Sequence, residues 1–125
     1  MASMGVRRPR AAVPDERGMV TAELGMASLL LAVAVVVVAW LVAVLGLVFR
    51  CQATAWEVAR QEARGDRVAA QQARVGAPVG SRVGVSRAAG QVRVVVELAA
   101  QPWADWLPVV PVTAQAVSRL EPGVT

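Results

Sequence analysis

The chain has 125 residues, 56% of them hydrophobic, and 13 basic against 9 acidic side chains give a formal charge of +4 at neutral pH. Every basic residue is arginine, histidine is absent and Cys51 stands alone, so one chain cannot assemble a Cys/His zinc site, a Ser-His-Asp triad or a Cys-His pair; no catalytic residue, metal or cofactor is expected. The arginines alternate with acids and alanines instead of forming a basic stripe with interleaved aromatics, and no glycine-rich phosphate loop follows a strand, which argues against nucleic acid and against a small-molecule substrate.

Residues 1–18 are polar and marked by Pro9 and Pro14, with Arg7, Arg8, Arg10 and Arg17 set against Asp15 and Glu16. They read as a short disordered leader on the cytoplasmic side. The next feature is an uncharged run over residues 24–49. As a helix it extends ~39 Å, beyond the ~30 Å hydrocarbon core of a bilayer, so residues 19–49 are expected to form a transmembrane helix. The run is too long for the apolar part of a secretory signal, and no small-x-small site follows it. The pair Arg7 and Arg8 lies ahead of Pro9, far from the run, and reads as ordinary leader charge instead of a twin-arginine signal. Charge alone leaves orientation nearly tied, because Arg50, Arg60, Arg64 and Arg67 follow the run closely.

Glu23 stands at the threshold of that run. An acidic residue at the centre of a spanning helix costs about 2.5–3.5 kcal/mol, less near an end, and a carboxylate there requires a reason. It either marks the interfacial end of the helix, reaching water and favouring the positive helix N-terminus, or it pairs with a cation. Beyond Phe49, residues 50–75 are rich in helix formers and extend the helix into solvent, with Gly65 and Asp66 as a kink or a stop. Ala55, Ala59 and Ala63 make a small-residue stripe beside Trp56, suited to close helix contact or to plain core packing within one chain. Cys51 reads as a buried small residue in preference to a bridge to another subunit. Trp40 reads as lipid-facing or as a helix contact.

Residues 76–125 change to the grammar of strands. Residues 82–87 and 91–98 flank Ala88, Ala89 and Gly90 as a hairpin, with Val92, Val94, Val96 and Leu98 on one face at period two. A proline-marked connection over 102–108 leads to a third strand over 111–120, placing Val112, Ala114, Ala116, Ser118 and Leu120 on one face. Trp103 and Trp106, bracketed by Pro102 and Pro108, either form a protein-contact patch or cover the open end of the sheet; the small size of the domain favours covering. The predicted class is α+β: a long N-terminal transmembrane helix extending into solvent, then a small antiparallel sheet of about three strands.

Arg17-Gly18-Met19-Val20-Thr21-Ala22-Glu23, placed directly before the span, resembles the processing motif of type IV pilin-like proteins. With residues 59–66 after the span and the closing segments 107–114 and 119–123, the chain more narrowly resembles the TadE-like minor pilins, or pseudopilins, of the tight-adherence system. The resemblance implies cleavage between Gly18 and Met19 by a prepilin peptidase at the cytoplasmic face, an N-terminus inside and a C-terminus outside the membrane. It further implies a non-enzymatic role in assembling or initiating a pilus or related secretion filament, with other pilins and membrane lipid as partners. Glu23 of an incoming subunit would pair with the new α-amine at Met19 of its neighbour and set register. Leu24 stands where many pilins carry an aromatic residue, which favours a minor over a major subunit. The alternative is a single-pass, signal-anchored protein whose exterior domain binds a protein partner or the cell wall.

Overall fold

The computed structural model describes residues 1–5 and 16–124 and divides them into two compact units, Met1–Val36 and Val37–Thr125. Helix α1 (Glu16–Arg64) runs through both; α2 (Arg67–Val75), β1 (Arg82–Ala88), β2 (Gln91–Ala100) and β3 (Val110–Arg119) follow it in the second. The class is α+β, as the patterning predicts: one long apolar N-terminal helix and a three-stranded antiparallel sheet.

In the first unit, residues 1–5 carry no regular structure, and the expected leader's Arg7, Arg8, Arg10, Pro9 and Pro14 lie outside the described residues. Helix α1 is already under way at Glu16, whose carboxylate complements the positive helix N-terminus. The leader was expected to end at Gly18 with the helix starting at Met19; instead Arg17 and Gly18 are helical. A single glycine costs a helix about 1 kcal/mol, which does not stop it while good helix formers follow. From Met19 to Val36 the side chains are exposed on every face.

The second unit is built by small residues. α1 contributes Cys51, Ala55, Val58 and Ala59, all fully buried, and β2 and β3 answer with Val92, Val94, Val96, Leu98 and Ala100 and with Val112, Ala114 and Ala116. The Ala55, Ala59 and Ala63 stripe is therefore core packing within one chain, and Cys51 is buried and unpaired by disulfide. Each fully buried valine removes enough apolar surface to favour folding by roughly 1.5 kcal/mol or more. Short side chains from the helix and the sheet fill this interior among themselves, and no aromatic ring belongs to it.

Sheet order is β1-β2-β3, with Val94 paired to Val85 on one side and Ala116 on the other. The β1–β2 hairpin turns through Ala89 and Gly90, both at positive φ (52° and 71°), as a two-residue type I′ turn requires. β3 starts one residue earlier than its pattern suggests, and Ser118 and Leu120 at its far end are half-buried.

Residues 50–75 form two helices and not one continuous extension. Gly65 adopts φ +76°, its amide bonds the Glu62 carbonyl at 3.1 Å, and the Asp66 amide bonds the Gln61 carbonyl at 3.0 Å, the paired bonds of a Schellman stop. Asp66 then caps α2, its carboxylate accepting from the Ala69 amide at 3.0 Å. After β3 the chain returns to this point: the Glu121 amide donates to the Ala63 carbonyl at 3.0 Å, and Arg64 meets Glu121 at 3.7 Å.

Candidate functional site

Gly18, Met19 and Glu23 all lie in the first turns of α1. Met19 and Glu23 are one turn apart and share a face, and both are exposed. Two neighbouring hydroxyls are satisfied within the helix: Thr21 Oγ1 donates to the Arg17 carbonyl at 2.9 Å and Ser28 Oγ to the Leu24 carbonyl at 2.8 Å. Among the described residues no cation stands within ion-pair distance of Glu23. The helix beyond it presents Leu29, Leu30, Leu31, Val33 and Val36, each more than half exposed, so its apolar surface faces outward all round. A helix apolar on every side needs an apolar surrounding, either a larger core or lipid. By length and composition α1 is the one described helix able to cross a membrane.

Trp103 and Trp106 are brought together on the 101–109 connection, and both face solvent, at 60% and 81% exposure. The expectation that they cover the open end of the sheet is overturned. The valine and alanine interior closes without them, for the reason given above. The connection is nonetheless ordered by its own bonds: the Gln101 side-chain amide donates to the Asp105 carbonyl at 2.8 Å and to the Leu107 carbonyl at 3.0 Å, and the Leu107 amide bonds the Ala104 carbonyl at 3.1 Å. Trp103 sits at φ +83°, a region that costs an L-residue roughly 1–2 kcal/mol, so the connection holds its backbone against a local preference.

Sequence reasoning passed over a third cluster. Glu62 is 6% exposed at the end of α1, and its two carboxylate oxygens are taken separately: Oε1 by Arg74 Nη2 of α2 at 2.7 Å, Oε2 by Arg87 Nη2 of β1. A carboxylate bonded on both oxygens by guanidinium groups is a structural clasp and not a proton shuttle. Beside it is an open cleft of about 370 Å³, lined by Glu62, Arg67, Gln71, Arg74, Val85 and Arg87. Two signals were available: Arg87 shares the inward parity of Val83 and Val85, and Glu62 continues the buried stripe of Val58 and Ala59. Opposite charges standing in two apolar stripes imply that the stripes meet.

Cys51 lies one residue past Arg50 on the buried face of α1. Burial pushes its thiol above the ordinary value of 9.0, and the Arg50 charge offsets this in part. Among the described residues no group of three or more His, Cys, Asp or Glu side chains is placed to hold a metal ion.

No family model, curated protein or solved structure matches this chain. The functional reading therefore rests on the residues and their placement.

Proposed function

We propose that this protein is a non-enzymatic, single-pass membrane subunit of the TadE-like minor pilin or pseudopilin type, assisting assembly or initiation of a tight-adherence pilus or related secretion filament. The observation that carries the reading is α1 itself: a helix exposed and apolar on every face through its first unit, with one carboxylate, Glu23, at the start of that surface. In this reading the leader lies in the cytoplasm, a prepilin peptidase cuts between Gly18 and Met19, and the sheet stands outside the membrane. Cleavage creates a cation at Met19, and Glu23 of an arriving subunit neutralises its charge against the Met19 amine of a neighbour while the apolar helices pack laterally among lipid and other pilins. The cut falls inside a helical turn, so the peptidase must open that turn, which Gly18 makes easier.

Mass spectrometry of the protein isolated from membranes of its own host tests this. A chain starting at Met19 is expected. A chain starting at residue 1 or 2 would favour the rival, a signal-anchored protein whose exterior unit binds a protein partner or the cell wall.

A further inference from the structure

The apolar run is longer than a bilayer requires, and the second unit accounts for the surplus. Counted from Leu24, ~20 residues cross the ~30 Å hydrocarbon core, which brings the outer boundary to about residue 43. Leu41 and Val42 are exposed there, whereas Val44 is buried and Leu47 and Val48 pack against the core of the second unit, with Leu45 and Phe49 still exposed on the other side. On that one stripe the covering of α1 by protein thus begins where its covering by lipid would end.

The level of the tryptophan connection follows from a separate count. Gln52 Nε2 donates to the Gln115 carbonyl at 3.0 Å, and the Glu121 amide donates to the Ala63 carbonyl at 3.0 Å, so β3 and α1 run parallel, side by side. Following β3 back from Gln115 to its start at Val110 carries the strand ~17 Å, or about nine to eleven residues of helix, to the level of about residues 41–43. Val110 and Ala100 are paired there, and the 101–109 connection leaves the sheet at that end. Trp40 falls at the same level of α1.

We infer that the 101–109 connection rests in the outer headgroup layer of the bilayer that α1 crosses, with Trp103 and Trp106 as interfacial anchors; this rests on the membrane-spanning reading above. The chemistry suits that layer. Tryptophan combines an apolar body with one N–H donor and concentrates at membrane–water boundaries. Both rings are exposed, Leu107 and Val109 adjoin them, and Asp105 is the one charged residue of the connection, so attachment works through ring burial and not through charge. Pro102, Pro108 and the two Gln101 bonds hold the connection in shape, with Trp103 at positive φ within it. The result is a second membrane contact that fixes the height of the sheet above the bilayer and the rotation of α1 within it.

The test uses the full chain in phosphatidylcholine vesicles. The Trp40→Phe/Trp56→Phe variant leaves emission from Trp103 and Trp106, and lipids brominated near the carbonyls or near the chain ends report depth. Carbonate extraction of the same vesicles reports the span independently. The expected result is carbonate-resistant protein whose emission is blue-shifted, mostly lost to the shallow bromines, little changed by the deep ones and shielded from aqueous iodide. Carbonate-resistant protein with unquenched, iodide-accessible emission would overturn the inference and assign the rings to a protein partner. Release by carbonate would overturn the spanning reading, and the inference with it. Should the double variant misfold, Trp103→Ser/Trp106→Ser in the otherwise native chain is expected to lose the part of the shallow-bromine quenching that Trp40 does not supply, and quenching equal to that of the native chain would overturn the inference.

Discussion

Before Val37, α1 exposes leucines, valines and methionines around its whole circumference; from Val44 onward the same helix buries one stripe of small residues and turns Trp56, Arg60 and Arg64 to solvent. Among the described residues nothing packs against the first stretch. The second is stabilised by contacts contained in the sequence. An acidic residue marks each stretch, and the two behave oppositely: Glu62 has both oxygens bonded by arginines from other elements, whereas among the described residues Glu23 has no cation beside it. A buried carboxylate with its partners supplied locks a fold, and a carboxylate without one is available to another molecule.

The comparison is broken most directly at these two acids. Glu62→Ala leaves Arg74 and Arg87 without their acceptor; each is about a third exposed and partly resolvated, so the expected cost is about 2–3 kcal/mol, read as a lowered midpoint of chemical unfolding of the second unit in detergent. Glu23→Ala is expected to leave that midpoint unchanged. Its effect is expected in the host, where cleavage proceeds normally and co-purification with other pilins falls; unchanged co-purification would remove the pairing role. A smaller effect is expected from Gly65→Ala. A Cβ there meets Val124 Cγ1 at 3.2 Å on a backbone at φ +76°, so the stop between α1 and α2 is expected to lose roughly 1–2 kcal/mol by the same midpoint.

The smallest expected effect is at Cys51. Its thiol is expected to resist alkylation at pH 8 in the native protein and to react on unfolding. Because its folded value is raised, the neutral thiol contributes stability that is intact below the unfolded value near 9.0 and is lost as pH climbs through the higher folded value. A chemical-unfolding midpoint that falls as pH rises above 9.0 in the native chain, and falls less in Cys51→Ala, is the corresponding readout.

How far the sequence discloses this arrangement depends on whether a feature is periodic. The strands announce themselves because Val92, Val94, Val96 and Leu98 alternate with polar residues, and the long helix because no charge interrupts residues 24–49. The helical stop at Gly65 shows in the Gly-Asp pair, but a stop and a kink share that signature; the two carbonyl bonds separate them. The Glu62 clasp is spread over residues 62, 74 and 87, and its partners are fixed by strand register and helix rotation, neither of which a local pattern contains. The outward tryptophans follow from a core that valines, alanines and Cys51 complete without them; those residues come from elements far apart in the chain, so composition alone favoured the opposite arrangement. For Glu23, position in the sequence was the whole signal, since among the described residues the side chain gains no charged partner.

The strands lie side by side in the order in which they occur along the chain. A chain made from its N-terminus can therefore pair each strand with the one that preceded it, and no segment has to be inserted between two already joined. The bond from Glu121 to Ala63 belongs to the stretch that follows all three strands, and it joins the end of the helix to the end of the sheet.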